Sequence, residues 1–464
     1  MTGPGTGRGP GARVALAVGA LVGLGSATAT AQPFAGDRTL VVMVGAPVGG
    51  ARMARIDASR RALAPSILPS SRLQTEWRTA LGFIAQQGPL VDSKGRTYVV
   101  GESGEVVVIG RDGTVLSRTA TRGTQPGPAA LLSDDTLVFV DGAGEAVAVR
   151  DGAVIWRSRF GRASPLHAAP VALDDGGVVV ASGPDLAVLD STGAERARVV
   201  LPEPTSHPLL SALGKVVVVG DSGAVWTWAP SAEKAVRVGG FGSDIDGSAA
   251  LVDAHTLVAT ARTQTHLSTV DLIRGVDTKL VGPLGGERWL GPPAVDSSGV
   301  VCAVQITPAG EVAVAIDASG SERGRTLLAG PVGARALDKV DPPSARAPLS
   351  PPSTASTPPT PSRIASTTPL VVDGEGHLAF ATLAGSIGVA TGLVAPVDAP
   401  QAQNAVVELV ADACAPSPGR PGAEAAVVGL APLPPRGLVA LCRSGLVVAV
   451  KEGRPAGGSG SPRL

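Results

Sequence analysis

Four groups of residues have types and spacings that suggest chemistry. Gly220-Asp221-Ser222-Gly223 is the kind of turn that presents a serine nucleophile. Such a serine needs a histidine base and an oriented carboxylate. No GDSGGP continuation follows it, and no histidine context accompanies it. Asp244-Ile245-Asp246-Gly247 starts like a calcium loop, but the bidentate glutamate expected at its twelfth position is missing. There are five histidines, and none forms HxH or HExxH. His255 and His377 fall at turns and His266 on a strand, whereas His167 and His207 stand just before Pro170 and Pro208. The three cysteines include no CxxC and no adjacent pair.

The serine turn is explained by its register. GDSG aligns with Gly101-Glu102-Ser103-Gly104 and with Ala143-Gly144, each between two short apolar runs. Gly supplies positive φ and Ser or Asp bonds the backbone, so all three read as hairpin turns. The runs recur as well. A short strand begins at Pro89, Pro128, Pro170, Pro208, Ser248 and Pro293, spaced 39, 42, 38, 40 and 45 residues apart. Two further copies begin at Pro369 and Pro432, behind insertions, which makes eight. Each copy carries an apolar hairpin, such as TYVVGESGEVVVI or KVVVVGDSGAVWTW, and most continue through a turn such as RDGT into a weaker fourth strand.

The unit is therefore four short antiparallel strands, A to D. Runs such as Val216-Val217-Val218-Val219 are apolar at consecutive positions, which suits strands covered on both faces. One such unit cannot cover itself, but radial arrangement lets each sheet pack on its neighbours. The expected fold is an all-β propeller of eight blades, with seven as the alternative. The last copy stops after strand C at Lys451, and Gln74–Gly82, containing Trp77, resembles a strand D. Pairing that N-terminal strand with the last blade would close the ring and remove an exposed edge. Residues 73–453 are then one propeller domain, with 32–72 a lead-in and 454–464 a tail. Residues 341–363, rich in Pro, Ser and Thr, and 412–424 are loop insertions between a strand D and the next strand A.

The pattern PxVDxxGxVxVxxxxGxxxxLDxxGxxxW resembles the pyrroloquinoline quinone-type repeat of quinoprotein dehydrogenases and their non-enzymatic exported bacterial relatives. The lead-in from Arg55-Ile56-Asp57 to Leu81 is similar to the segment that precedes the ring in those relatives. The resemblance covers roughly residues 53–453. It implies the propeller fold and leaves function open. Quinoprotein enzymes hold their cofactor in the channel with a calcium ion, a Trp floor and an adjacent Cys pair. That constellation has no counterpart here, so no cofactor is expected. The repeat's blade-docking Trp remains as Trp156 and Trp77, and Ala, Gly or Ser fills the slot elsewhere.

The chain has 464 residues, with 39 basic and 39 acidic side chains. This balance implies no broad basic surface for nucleic acid. Arg8 and Arg13, the apolar stretch Val14–Gly25 and Ala29-Thr30-Ala31 read as a secretory signal peptide over residues 1–31. The apolar stretch is too short to span a bilayer, and no other run is long enough. Cleavage would leave a net charge of about −2. The expected location is the periplasm or cell surface of a Gram-negative-type bacterium. An exported chain is able to form disulfides. Cys302, inside an apolar run, reads as a buried thiol, and Cys414 with Cys442 are disulfide candidates whose pairing the spacing leaves open.

The loops preceding the A strands converge on the channel. They carry His167, His207, Asp244, Arg288 and Trp289, which make a candidate binding rim. The expected function is a monomeric, non-catalytic binding or scaffolding module, taking a protein partner or small ligand at the channel face. The alternative is a quinone-dependent dehydrogenase. A hydrolase or lyase would need paired carboxylates or a His–Asp pair in the channel.

Overall fold

Every strand among the described residues belongs to one of eight four-stranded antiparallel sheets. This computed structural model describes residues 56–57, 60, 62–165, 167–261, 266–281, 288–330, 369–393, 406–410, 413–414 and 426–453. All of them lie in the compact unit Gly36–Leu464. Residues 1–31, read above as a signal peptide, the insertion 341–363, most of 412–424 and residues 454–464 lie outside the described residues.

Blades 1 to 7 are consecutive in sequence: 90–120, 130–159, 171–200, 210–240, 250–281, 288–329 and 370–410. Each runs A-B-C-D in spatial order. Blade 8 takes A, B and C from 427–452 and its fourth strand, Leu73–Ala80, from the other end of the chain. Leu73 pairs with Glu452 and Ala80 with Leu446, with one bulge between Thr75 and Trp77. The ring thus closes with eight blades through the N-terminal strand that carries Trp77.

The strand types differ in burial as their positions require. Val216 to Val219 in strand B of blade 4 are all buried, each such Val contributing about 1.5–3 kcal/mol. Strand D alternates instead: Ala153–Arg159 shows every second residue to solvent. Strands A of neighbouring blades touch one another, so they form the inner wall and strands D the rim.

Turn chemistry carries much of the repeat. In PLVD the aspartate caps the A–B turn. Asp92 Oδ1 accepts the N–H groups of Lys94 and Arg96, both at 2.9 Å. Asp296 serves Ser298 and Val300 in the same way, and Asp373 serves Glu375 and His377. These carboxylates satisfy backbone donors that the turn would otherwise leave unpaired.

Two strands begin earlier than their prolines suggest. Strand A of blade 6 is Arg288–Val295, bulged between Leu290 and Ala294. Strand A of blade 8 is Val427–Leu433. A bulge lets the strand keep its register while absorbing the Gly291-Pro292-Pro293 run, whose prolines lack N–H donors. Arg288 and Trp289 therefore sit on a strand, not in the loop before it, and His266 falls one residue before its strand, Leu267–Asp271. Cys414 and Cys442 are bonded, with Cα atoms 5.5 Å apart, and Cys302 is a buried free thiol. Among the described residues no helix is long and apolar enough to cross a membrane.

Candidate functional site

Each strand A has one edge paired with strand B and the other facing the channel. In blade 7, Leu370–Val372, that inner edge is occupied by the lead-in. Leu63 bridges Val372 in parallel. Val372 N–H donates to Ala62 O at 2.9 Å, and Ala64 N–H donates to Val372 O at 2.6 Å. This is strand addition within one chain.

Two residues before Ala62, the same segment reaches the opposite wall. Arg60 Nε donates to Leu209 O at 2.7 Å. Its Nη2 donates to Pro170 O at 2.7 Å and to Ala169 O at 3.2 Å. Those carbonyls open strands A of blades 3 and 4, which stand across an eight-membered ring from blades 7 and 8. A segment bonded to inner strands on both sides must lie in the channel. Its parallel pairing with strand A runs it from the D–A face to the A–B face. There Leu68 N–H donates to Asp373 Oδ2 at 2.8 Å. Ser70 and Ser71 then bond Glu452, and Leu73 enters the closing strand.

Arg60 is fully buried. Burial lowers its pKa to about 10, against the opposing charge of Asp57, so it remains a cation at neutral pH. Carbonyl oxygens stabilise this guanidinium, since a buried charge requires partners. The backbone is strained around it: Ile56, Arg60 and Ala62 have φ of 78°, 56° and 56°.

The mouth of the channel on the D–A face holds a polar cluster. His207 Nδ1 meets Gly247 O and its Nε2 meets Asp244 Oδ1, both at 2.9 Å. One imidazole thus ties two successive D–A loops together. From the B–C turn of blade 4, Asp221 Oδ1 accepts Ser206 N–H and Oγ–H at 2.9 Å each. Burial raises the Asp221 pKa and the nearby His207 opposes that shift. In sequence, His207 is two residues from Leu209, whose carbonyl holds Arg60.

The other rim candidates do not join this cluster. His167 is buried with neither ring nitrogen hydrogen-bonded. Burial lowers its pKa to about 4, so its ring is neutral. Trp289 is buried between blades 5 and 6, its Nε1 also without a partner, while Arg288 is exposed at the strand's start. Asp246 is a structural acceptor, its Oδ2 taking the Gly291 N–H at 2.8 Å. The GDSG turn is a hairpin turn in which Gly223 has φ 84° and Ser222 Oγ accepts the Ala224 N–H. Among the described residues no group of three or more His, Cys, Asp or Glu is placed to hold a metal.

Sequence patterning missed three residues. Arg60 and Asp373 meet partners far away in sequence. Glu311, in strand C of blade 6, is buried with its carboxylate on the Leu383 N–H of blade 7. Burial pushes its pKa up to about 7. No periodicity marks Arg60 or Glu311, and the repeat that marks Asp373 as a turn aspartate does not mark its bond to Leu68.

The quinoprotein cofactor does not fit this channel. A guanidinium occupies the region where a calcium ion and an anionic quinone would be needed, and its oxygen partners are backbone carbonyls already engaged. Cys302 and Cys442 cannot supply the adjacent pair, Cys442 being bonded to Cys414.

Comparison with known proteins agrees with the geometry. The family model PQQ_2, described as outer membrane protein assembly factor BamB, matches residues 142–347. The crystal structure of BamB from Moraxella catarrhalis superposes with TM-score 0.50 at 14% identity, covering 83% of this chain and 100% of that one. A computationally designed protein, Ika8, superposes with TM-score 0.55 at 14% identity, covering 82% of this chain and 100% of its own. No curated protein matches the chain. Repeat pattern and blade architecture agree: the chain is an eight-bladed β-propeller whose residues 142–347 match the pyrroloquinoline quinone-type repeat model.

Proposed function

We propose that this propeller is an exported, non-catalytic, monomeric scaffold of the bacterial cell envelope that binds a protein partner through its D–A and B–C loops. The observation that carries the reading is the family match over residues 142–347 to a protein described as an assembly factor. The occupied channel supports it, because the volume in which quinoprotein relatives hold a cofactor is filled by the chain's own Arg60 and Ala62. The bonded Cys414 and Cys442 suit an oxidising compartment. The His207–Asp244 cluster, reinforced from Asp221, is the organised polar feature on the loop face. It is the proposed centre of the contact.

The test is affinity capture of the mature protein from cell-envelope extract, run beside the His207→Ala variant and a titration with pyrroloquinoline quinone plus calcium. A partner retained by the wild type and lost by His207→Ala supports the reading. Saturable quinone binding, or capture unaffected by the substitution, overturns it.

A further inference from the structure

The lead-in in the channel uses two recognition devices that need not belong to the same chain. One is a pocket for a guanidinium, built from the Ala169, Pro170 and Leu209 carbonyls. The other is the inner edge of Leu370–Val372, which pairs with Ala62 and Ala64 through backbone atoms alone. Backbone pairing gives affinity for any extended peptide, and the pocket gives the side-chain preference. Carbonyls fixed on two different blades suit the planar, multi-donor arginine head over the compact ammonium of lysine.

The resident segment sits there at a cost. Three of its non-glycine residues have positive φ, and its arginine has given up water for the protein interior. At its exit, Leu68 hangs on Asp373, a carboxylate shared with His377 at 2.9 Å. These features suit a segment held by proximity more than by optimal fit. A tethered segment experiences an effective concentration on the order of mM, which closes the channel to weaker competitors.

We propose that the channel wall is a binding site for an extended, arginine-bearing segment of a protein partner, and that Arg60 with Ala62–Leu68 forms a resident pseudo-ligand that gives way to it. The partner segment would place its arginine on the Ala169, Pro170 and Leu209 carbonyls. A small residue two positions later would lie along Val372. This goes beyond the loop-face reading and stands separately, because it concerns the channel wall and leaves the His207 cluster untouched.

The experiment is fluorescence anisotropy with a labelled peptide of residues 54–68, titrated with the full-length wild type and with full-length Arg60→Ala. The Arg60→Ala chain should bind the peptide at least ~10-fold more tightly than the wild type, since its own segment has lost hydrogen bonds from a charged donor. A peptide carrying Arg60→Ala should bind that same chain at least ~10-fold more weakly. Failure of the peptide to bind the folded Arg60→Ala chain, or equal binding of both peptides, would overturn the proposal. Should the variant not fold, the wild-type chain with a protease site inserted between Ser70 and Ser71 serves instead, cut after folding. Labelled wild-type peptide should then replace the cleaved segment while the Arg60→Ala peptide does not. A segment that neither peptide displaces, or that both displace equally, counts against it.

Discussion

Trp77 lies so close to Gly113 of the next blade that a Cβ on that glycine would stand 2.8 Å from the indole. The indole Nε1 also donates to Arg111 O at 2.8 Å. Trp156 repeats the arrangement between blades 2 and 3, facing Gly193 and donating to Ser191 O at 3.0 Å. Gly113 and Gly193 have φ of 85° and 84°, which adds backbone strain to the steric conflict for any replacement.

Trp77→Ala should therefore loosen the ring at its seam. The indole is half-buried, so a loss on the order of 2 kcal/mol is expected. Gly113→Ala should cost at least about 1 kcal/mol. Chemical denaturation measures both. Limited proteolysis of Trp77→Ala should cut near Leu73–Ala80 faster than Trp156→Ala is cut near Ala153–Arg159, because Leu73–Ala80 pairs with its strand C without a connecting turn, whereas Ala153–Arg159 follows its strand C through residues 151–152. Equal cutting in the two variants would contradict a special role for the seam.

Glu311 should make stability fall as pH rises. Its folded-state pKa, about 7, lies above its ordinary 4.5 because burial disfavours the charge. Below the ordinary value both states are protonated and nothing is lost. Between the two values the unfolded chain gives up its proton while the folded chain keeps it, so stability declines until the pH passes about 7. Glu311→Gln keeps the shape and should remove that decline. Thermal melts at pH 5 and pH 8 measure it, and an unchanged pH slope would count against it.

The His377–Asp373 pair has the same direction in a different window. The hydrogen bond to Asp373 raises the His377 pKa above 6.5, helped by the charges of Asp373 and Glu375 and opposed by burial and by Arg436. A base with a raised pKa contributes fully below its unfolded value and loses that contribution as pH rises through the folded value. Since Asp373 also holds Leu68, amide exchange at Leu68 should quicken above neutral pH beyond the intrinsic increase. His377→Gln should abolish that excess.

His207 should be separable from the fold. Removing its ring by His207→Ala takes away the link between the Gly247 carbonyl and Asp244, costing about 1 kcal/mol, yet leaves every blade intact. Circular dichroism should be unchanged while partner capture falls.

Reduction should weaken the joint between blades 7 and 8. Cys414 and Cys442 are separated by 28 residues, and a loop of that size corresponds to roughly 3.5 kcal/mol. Cys442→Ser should lower the melting temperature under oxidising conditions and make it insensitive to dithiothreitol, whereas the wild type should respond to the reductant.

Much of the ring was legible because its information is local. Turns such as Gly220–Gly223 and the PLVD aspartate declare themselves within a few residues, and their recurrence gives the blade count. The closing strand was legible because Trp77 carries the same local signature as Trp156. The site was harder. His207 and Asp244 lie in successive loops that precede strands A, and that register brought them to one face. His167 and Trp289 share that register too, but whether a loop residue faces solvent or a neighbouring blade depends on packing that no single repeat encodes. Arg60 was invisible for a further reason: its acceptors are backbone carbonyls 109, 110 and 149 residues away, and carbonyls leave no mark in a sequence.

The lead-in and the closing strand also set the order in which the molecule is assembled. Residues 62–80 leave the ribosome early, yet their strand partners, from Val372 to Glu452, are made near the end. The earliest segment is thus the last to be placed. Blades 1 to 7 can collapse from local hairpins, but blade 8 must form around a strand that has waited through the synthesis of nearly all the others. Such long-range pairing is slow. Until it happens, Leu446–Glu452 has a bare edge open to other chains. Completion of the ring is a race between that strand and any competing edge, and a chaperone that shields the edge would decide its yield.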